Sequence, residues 1–373
     1  MDSRHSHRRT AVLPSPTHSF LASSPHPRGA HHIPYISSLT ALSTISPIPR
    51  PLLTVLMASS TSVILLLTIA SFSYHCLAAR DLSQLTNIAE HPASVLAYHN
   101  GPLLTGKISV NLIWYGQFKP AQRSIILDFL HSLSAPAADG NPSVSTWWKG
   151  IDAYYHTVSS AKSSPLALAL GTQISDDGYS LGKKLTTQQI VELASKGGEN
   201  NAINVVLTSA DVAVDGFCSI KCGTHGSSVA ARKISGKSSK FAYIWVGNSE
   251  AQCPGHCAWP FHQPIYGPQS PPLIAPNNDV GMDGMVINLA SLLVGTVTNP
   301  FGNGYFQGPK EAPLEAGSAC AGVYGKGAYP GYAGNLLVDT TTGASFNARG
   351  TNGRKYVLPA MMEPSSSTCS TLV

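Results

Sequence analysis

Residues 218–262 concentrate the groups most able to do chemistry: Cys218-x3-Cys222-x2-His225, then Cys253-x2-His256-Cys257, then His262. Thiolate and imidazole are the ligands that tetrahedral zinc takes. The x3 gap in the first pair is looser than the common zinc knuckle, however, and a secreted chain exposes its thiols to oxidation before metal. Disulfides are therefore expected over zinc. Of the seven cysteines, Cys76 lies in an N-terminal segment, and the other six are an even set whose pairing the sequence leaves open.

The remaining candidates are weaker. Asn277-Asn278-Asp279-Val280-Gly281-Met282-Asp283-Gly284 looks like a calcium loop until Gly281 falls where a ligand is needed and Ala290 where the bidentate Glu belongs. A turn entering a helix explains it better. Gly325-Lys326-Gly327-Ala328-Tyr329-Pro330-Gly331 misses the dinucleotide-loop spacing and opens no helix, so it reads as turns. Neither a G-x-S-x-G elbow nor an H-E-x-x-H helix occurs. No N-x-S/T sequon is present either, because Asn141-Pro142-Ser143 carries the disqualifying proline. No residue is assigned a catalytic, cofactor-binding or metal-binding role. A hydrolytic site would have to be assembled from distant residues such as His225, His262, Asp279 and Asp283, brought into one concave pocket.

The elements that must position these groups follow from periodicity. Lys107–Tyr115 alternates apolar and polar residues at Ile108, Val110 and Leu112, which predicts a strand with one buried face. Pro120 opens a helix to Ser134, with Ile125, Ile126, Phe129, Leu130 and Leu133 at helical spacing. Trp147–Tyr155 reads as a short aromatic helix or turn whose rings pack in the core rather than form a sugar platform. Thr186-x-x-Gln189 is a capping box that starts another helix. Two buried strands follow at 202–208 and 241–246, with the first cysteine pair between them. A proline-dense loop from Cys253 to Asn278 leads to a helix capped at Asp279 or Asp283 and running to Thr298. Its face of Val286, Leu289, Ala290, Leu293, Val294 and Val297 is expected against the sheet. The Gly/Tyr/Pro-rich remainder offers strands at 335–339 and 354–358. No repeat or long linker divides this body, so the expected fold is a single α/β domain. It has a mixed sheet packed by helices and a loop-rich, disulfide-bonded C-terminal half.

Composition excludes several function classes. Only 12% of the 373 residues are charged, and 33 glycines with 27 prolines forbid long coiled coils. The formal charge of +5 includes five arginines within residues 1–79, where Asp2 is the sole acid. From Arg80 onward the two signs nearly balance, so nothing calls for nucleic acid.

Residues 1–56 are rich in Ser, His, Pro and Arg and lack apolar periodicity; they read as a disordered extension, either an over-extended gene model or a transit-like segment. Residues 57–78 read as a signal peptide. The apolar run Val63–Ala70 has h-region length, too short to span a bilayer, and Cys76-x-Ala78 fits a cleavage site. Met57 has no positive n-region after it, which keeps an organelle destination open as the alternative. The expected mature domain is 79–373, secreted, with no membrane segment of its own.

Several unusual blocks then occur in fixed order: Gly216-Phe217-Cys218, Cys222-Gly223-Thr224-His225-Gly226, Tyr243-Ile244-Trp245-Val246-Gly247-Asn248, Cys257-Ala258-Trp259-Pro260-Phe261-His262, Thr298-Asn299-Pro300-Phe301 and Gly331-Tyr332-Ala333-Gly334. From about Leu96 to Val373 the chain resembles the plant EXORDIUM family, also called phosphate-induced proteins. The resemblance implies an extracellular protein of the apoplast and cell wall, linked to brassinosteroid-responsive growth, cell expansion and growth under carbon limitation. It transfers no catalytic reaction and no cofactor, which implies action by binding an apoplastic ligand or wall component. A secreted hydrolase of wall polymer or peptide is the alternative.

Ser291–Pro300 is also similar to the active helix of certain zinc peptidases. Ser291 stands at the first histidine, Leu292 at the catalytic glutamate and Gly295 at the second ligand. That similarity implies a degenerate zincin-like scaffold without the groups that hold zinc and activate water.

Overall fold

Lys107–Tyr115 (β1) forms as its alternation requires, but from Val110 onward every residue is buried, not one face alone. The reason is its position. In the computed structural model β1 lies between Ala167–Asp176 (β2) and Ala202–Thr208 (β3), parallel to both. The structure describes residues 95–136, 142–158, 165–198, 201–219, 221–234 and 237–373. The expected extension 1–56 and signal segment 57–78 lie outside the described residues.

Gly223–Ile234 (β4) and Lys237–Gly247 (β5) complete the sheet in the order β2-β1-β3-β5-β4, where β5 runs parallel to β3 and β4 antiparallel to β5. The strand at 241–246 was expected; β4 was not, because GTHGSSVAARKI carries no apolar alternation and takes its conformation from pairing with β5.

Side-chain alternation divides the core. Val110, Leu112 and Trp114 of β1 join Ile203, Val205 and Leu207 of β3 on one face. Ile113, Tyr115, Val206 and Trp245 lie on the other. Helices Pro120–Leu133 (α1), Val144–Trp148 (α2), Asp152–Val158 (α3) and Val280–Thr298 (below, α6) are tied to the first face, and Thr187–Ser195 (α4) covers the second. This is a three-layer α/β arrangement.

Helices α1, α4 and α6 start where their sequence signals place them, whereas the aromatic stretch expected at 147–155 divides between α2 and α3. The Gln122 side chain accepts from Lys119 N ahead of Pro120 at α1. Thr186 and Gln189 make the reciprocal capping bonds at α4, 3.2 and 2.9 Å. The aromatic stretch is core: Trp147 Nε1 donates to Pro359 O at 2.7 Å and Tyr154 OH to Met362 O. A four-residue helix, Pro254–Cys257 (α5), follows the sheet. Asp279, not Asp283, caps α6 by accepting from Met282 N at 2.9 Å. All six residues of the expected face of α6 are buried, as are most of the others. Its length and apolarity would suffice to cross a membrane, yet 78% of its most apolar window is buried inside the fold, as in a core helix.

Beyond α6 regular structure nearly ceases. The strands expected at 335–339 and 354–358 shrink to two-residue bridges, Leu337–Val338 with Ser345–Phe346 and Lys355–Tyr356 with Ala348–Arg349. Fully buried Asn347 stitches this region instead. Its amide donates to Tyr324 O and Leu358 O at 2.8 and 2.7 Å, and its carbonyl accepts from Leu358 N at 2.8 Å. Three disulfides, Cys218–Cys253, Cys222–Cys257 and Cys320–Cys369, use all six cysteines of the body.

Candidate functional site

The proline-dense loop and the Gly/Tyr/Pro-rich segment meet around Trp259. Two cavities of about 500 and 350 Å³ open there, and both are lined by Trp259 and Gly331. Tyr324 fixes the indole from beneath: the two rings lie 5.6 Å apart, and the phenol donates to Trp259 O at 3.4 Å. The short helix α5 is held from behind by the disulfides at Cys253 and Cys257, and Gly255 O accepts from Ile265 N at 3.1 Å. On the opposite wall Gly331 has φ +90°, and a Cβ there would come within 2.9 Å of the Pro268 ring, so only glycine brings the two loops together.

Aromatic and apolar surface on this wall is left bare. Tyr266 is 86% exposed, Tyr329 63% and Ile265 50%, while the Tyr329 and Tyr332 rings lie tilted by 37° with centroids 5.1 Å apart. The polar groups interspersed among them are His256, His262 and Ser270. No Asp, Glu, Lys or Arg lines either cavity among the described residues. Sequence reasoning had read 325–331 only as turns, and isolated Tyr and Pro residues gave no periodic signal to correct it.

A third cavity, about 410 Å³, continues past Trp259 and His256 to Asn288, Ser291 and Leu292 on α6. Beside it His225 of β4 meets Glu315, Nε2 to Oε2 at 2.5 Å, and Glu315 Oε1 accepts from Asn299 Nδ2 at 2.6 Å. Gly295 makes room for this pair: a Cβ would lie 2.7 Å from Glu315 Oε2 and 3.1 Å from His225 Nε2. His225 Nδ1 is buried with no partner among the described residues. The helix positions where a zinc peptidase carries two ligands hold Ser291 and Gly295, and Leu292 stands at the catalytic base, none of which suits that chemistry; His225 and Glu315 are two groups where three are needed.

The four residues considered for hydrolysis do not converge. Asp279 caps α6 and accepts from Gln122 Nε2 at 2.9 Å. Asp283 is buried one turn on, accepting from Asn277 N and Nδ2 at 2.9 and 2.5 Å; burial pushes its carboxyl up to about 7 against these bonds. His225 of β4 lies beside Gly295 toward the other end of α6, about 18 Å along the helix from Asp283 at 1.5 Å per residue. His262 faces the 350 Å³ cavity with Nδ1 against Gln263 O at 3.0 Å. The one metal-sized group of three among the described residues, Cys222, His256 and Cys257, offers no thiolate, because its sulfurs are bonded to each other.

Fold and site together define a disulfide-linked α/β protein that carries an aromatic groove free of Asp, Glu, Lys and Arg. The chain belongs to the phosphate-induced protein family: the model described as Phosphate-induced protein 1 conserved region matches residues 96–372, which contain the whole groove. It is 65% identical over 318 residues to Protein PHOSPHATE-INDUCED 1 of Nicotiana tabacum, covering 85% of this chain and all of that protein. With Protein EXORDIUM of Arabidopsis thaliana it shares 67% identity over 284 residues, 75% of this chain and 90% of the relative. Protein EXORDIUM-like 6 of the same plant is 32% identical over 299 residues, 71% of this chain and 89% of the relative. No solved structure matches.

Proposed function

We propose that this protein is a secreted factor of the apoplast and cell wall that serves brassinosteroid-responsive growth and cell expansion by binding rather than by catalysis. The observation that carries the reading is the groove around Trp259, which has the size and lining of a ligand site and no carboxylate within it. Dispersal of His225, His262, Asp279 and Asp283 supports binding over the hydrolase alternative. Pairing of all six body cysteines supports an oxidising compartment over a reducing organelle.

The test is intact mass of the protein recovered from plant apoplastic fluid, before and after reduction and alkylation. An N-terminus near Ala79 and six cysteines that alkylate only after reduction are expected. Free thiols, or protein confined to an organelle, would sink the localisation. Incubation with isolated wall, followed by chromatography of the soluble fraction, separates binding from hydrolysis: depletion of the protein without new fragments is the expected result.

A further inference from the structure

We infer that the Trp259 groove is a subsite array for a neutral glycan chain; this rests on the binding reading above and names its ligand class. Three properties of the groove point to a sugar. First, its rings are open to solvent: Tyr266 and Tyr329 are 86% and 63% exposed and line the same cavity as Trp259, so their surface is available to a ligand. A pyranose offers a flat C–H face that covers such a ring while its hydroxyls stay at the rim.

Second, the polar groups among the rings are imidazoles and hydroxyls: His256, His262, Ser270 and the tyrosine phenols. Each can donate and accept, as a sugar hydroxyl also does. A proline-rich peptide also docks on aromatic-lined grooves, but its carbonyls only accept and leave the acceptor capacity of these imidazoles and hydroxyls unused, whereas a sugar hydroxyl engages both. An extended peptide needs a strand edge, which these turns do not offer. Third, neither cavity is lined by Lys or Arg to pair with an acidic polymer such as a polyuronate, nor by Asp or Glu, which matches an uncharged ligand. The two cavities meet at Trp259 and Gly331, so one oligosaccharide can occupy both.

The experiment titrates the secreted full chain with cellohexaose and xyloglucan oligosaccharides, with polygalacturonate and a polyproline peptide as comparisons. Tryptophan fluorescence and calorimetry are the readouts. Trp114, Trp147, Trp148 and Trp245 are buried to 7% exposure or less, so a spectral change on binding reports on Trp259. A neutral oligosaccharide is expected to bind with an affinity unchanged from low to high salt. Tyr266→Ala and Tyr329→Ala should each weaken it about ten-fold, the effect of losing one stacked ring. Circular dichroism checks that these exposed positions leave the fold intact.

Salt-sensitive binding of polygalacturonate alone would overturn the neutral assignment. Binding of polyproline alone would overturn the glycan and leave the groove as a ligand site. Unchanged glycan affinity in the double variant would overturn the groove. Recovery of shortened oligosaccharide would retain the glycan and overturn the non-catalytic reading, so the two failures are distinguishable.

Discussion

The sheet and the groove are built by different means. In the sheet, β1, β3 and β5 bury alternate side chains on two faces, and helices α1, α4 and α6 add their apolar stripes, so many equivalent contacts share the stabilisation. In the groove, single bonds act alone: three disulfides, the three hydrogen bonds of the Asn347 side chain, and glycines such as Gly331 that allow loops to touch. A repetitive core resists local damage until it fails as a whole. A region of singular links can loosen locally while the sheet stays folded.

The contrast is broken most severely from the sheet side. Phe129→Ala removes a fully buried ring that packs on Trp147 and Tyr356, and should cost about 3–5 kcal/mol in one cooperative urea transition. Replacing Cys320 and Cys369 with serine opens a link across 49 residues and should cost about 2–4 kcal/mol. Here hydrogen exchange should rise first around 316–373, with the sheet amides still protected; equal loss everywhere would abolish the distinction.

Asp283 tests the seam between the two regions. It accepts from Asn277 of the proline loop, whose carbonyl accepts from Arg354, which also pairs with Asp128 of α1. Desolvation raises its folded pKa to about 7, above the unfolded value near 4. Between these values the native state holds the proton and the unfolded state does not, so stability falls as pH rises from about 4 to about 7, by of order 4 kcal/mol. Asp283→Asn should flatten that slope, measured by urea midpoints across the window.

Smaller still, Asn111→Leu strands Thr172 N and Asn204, its partners at 2.8 and 3.0 Å inside the sheet, for about 1–3 kcal/mol. Tyr266→Ala at the groove rim should shift the midpoint by less than about 0.5 kcal/mol, because an exposed ring outside the core contributes little to folding.

What could be read in the sequence follows the same division. Helices α1, α4 and α6 were legible because Pro120, the Thr186/Gln189 box and Asp279 mark their starts and apolar spacing marks their faces. Disulfides were legible as chemistry, but their pairing was not, since it depends on how α5 meets the start of β4. β2 and β4 were missed: Gly171 and the small polar residues of 223–228 carry no strand period, and both strands are made by their neighbours. The His225–Glu315 pair joins residues 90 apart, and no local pattern announces it. The groove was hidden for a related reason. Trp259, Tyr266 and Tyr329 come from separate turns, and a turn residue's exposure is decided by which other turn it faces.

The strand that ends the sheet has a consequence for the protein in concentrated solution. Cys222 O accepts from Gly247 N at 3.4 Å, so by alternation Thr224, Gly226 and Ser228 face β5, and the peptide groups of Gly223, His225 and Ser227 point away from the sheet. Such an open ladder is a template on which another molecule could add a sixth strand. Glycine and small polar residues from Gly223 to Ser228 fill that edge, so an added strand would find hydrogen bonds there and little apolar surface to bury. The strand with the least hydrophobic sequence in the sheet thus offers a second copy little to hold it in place.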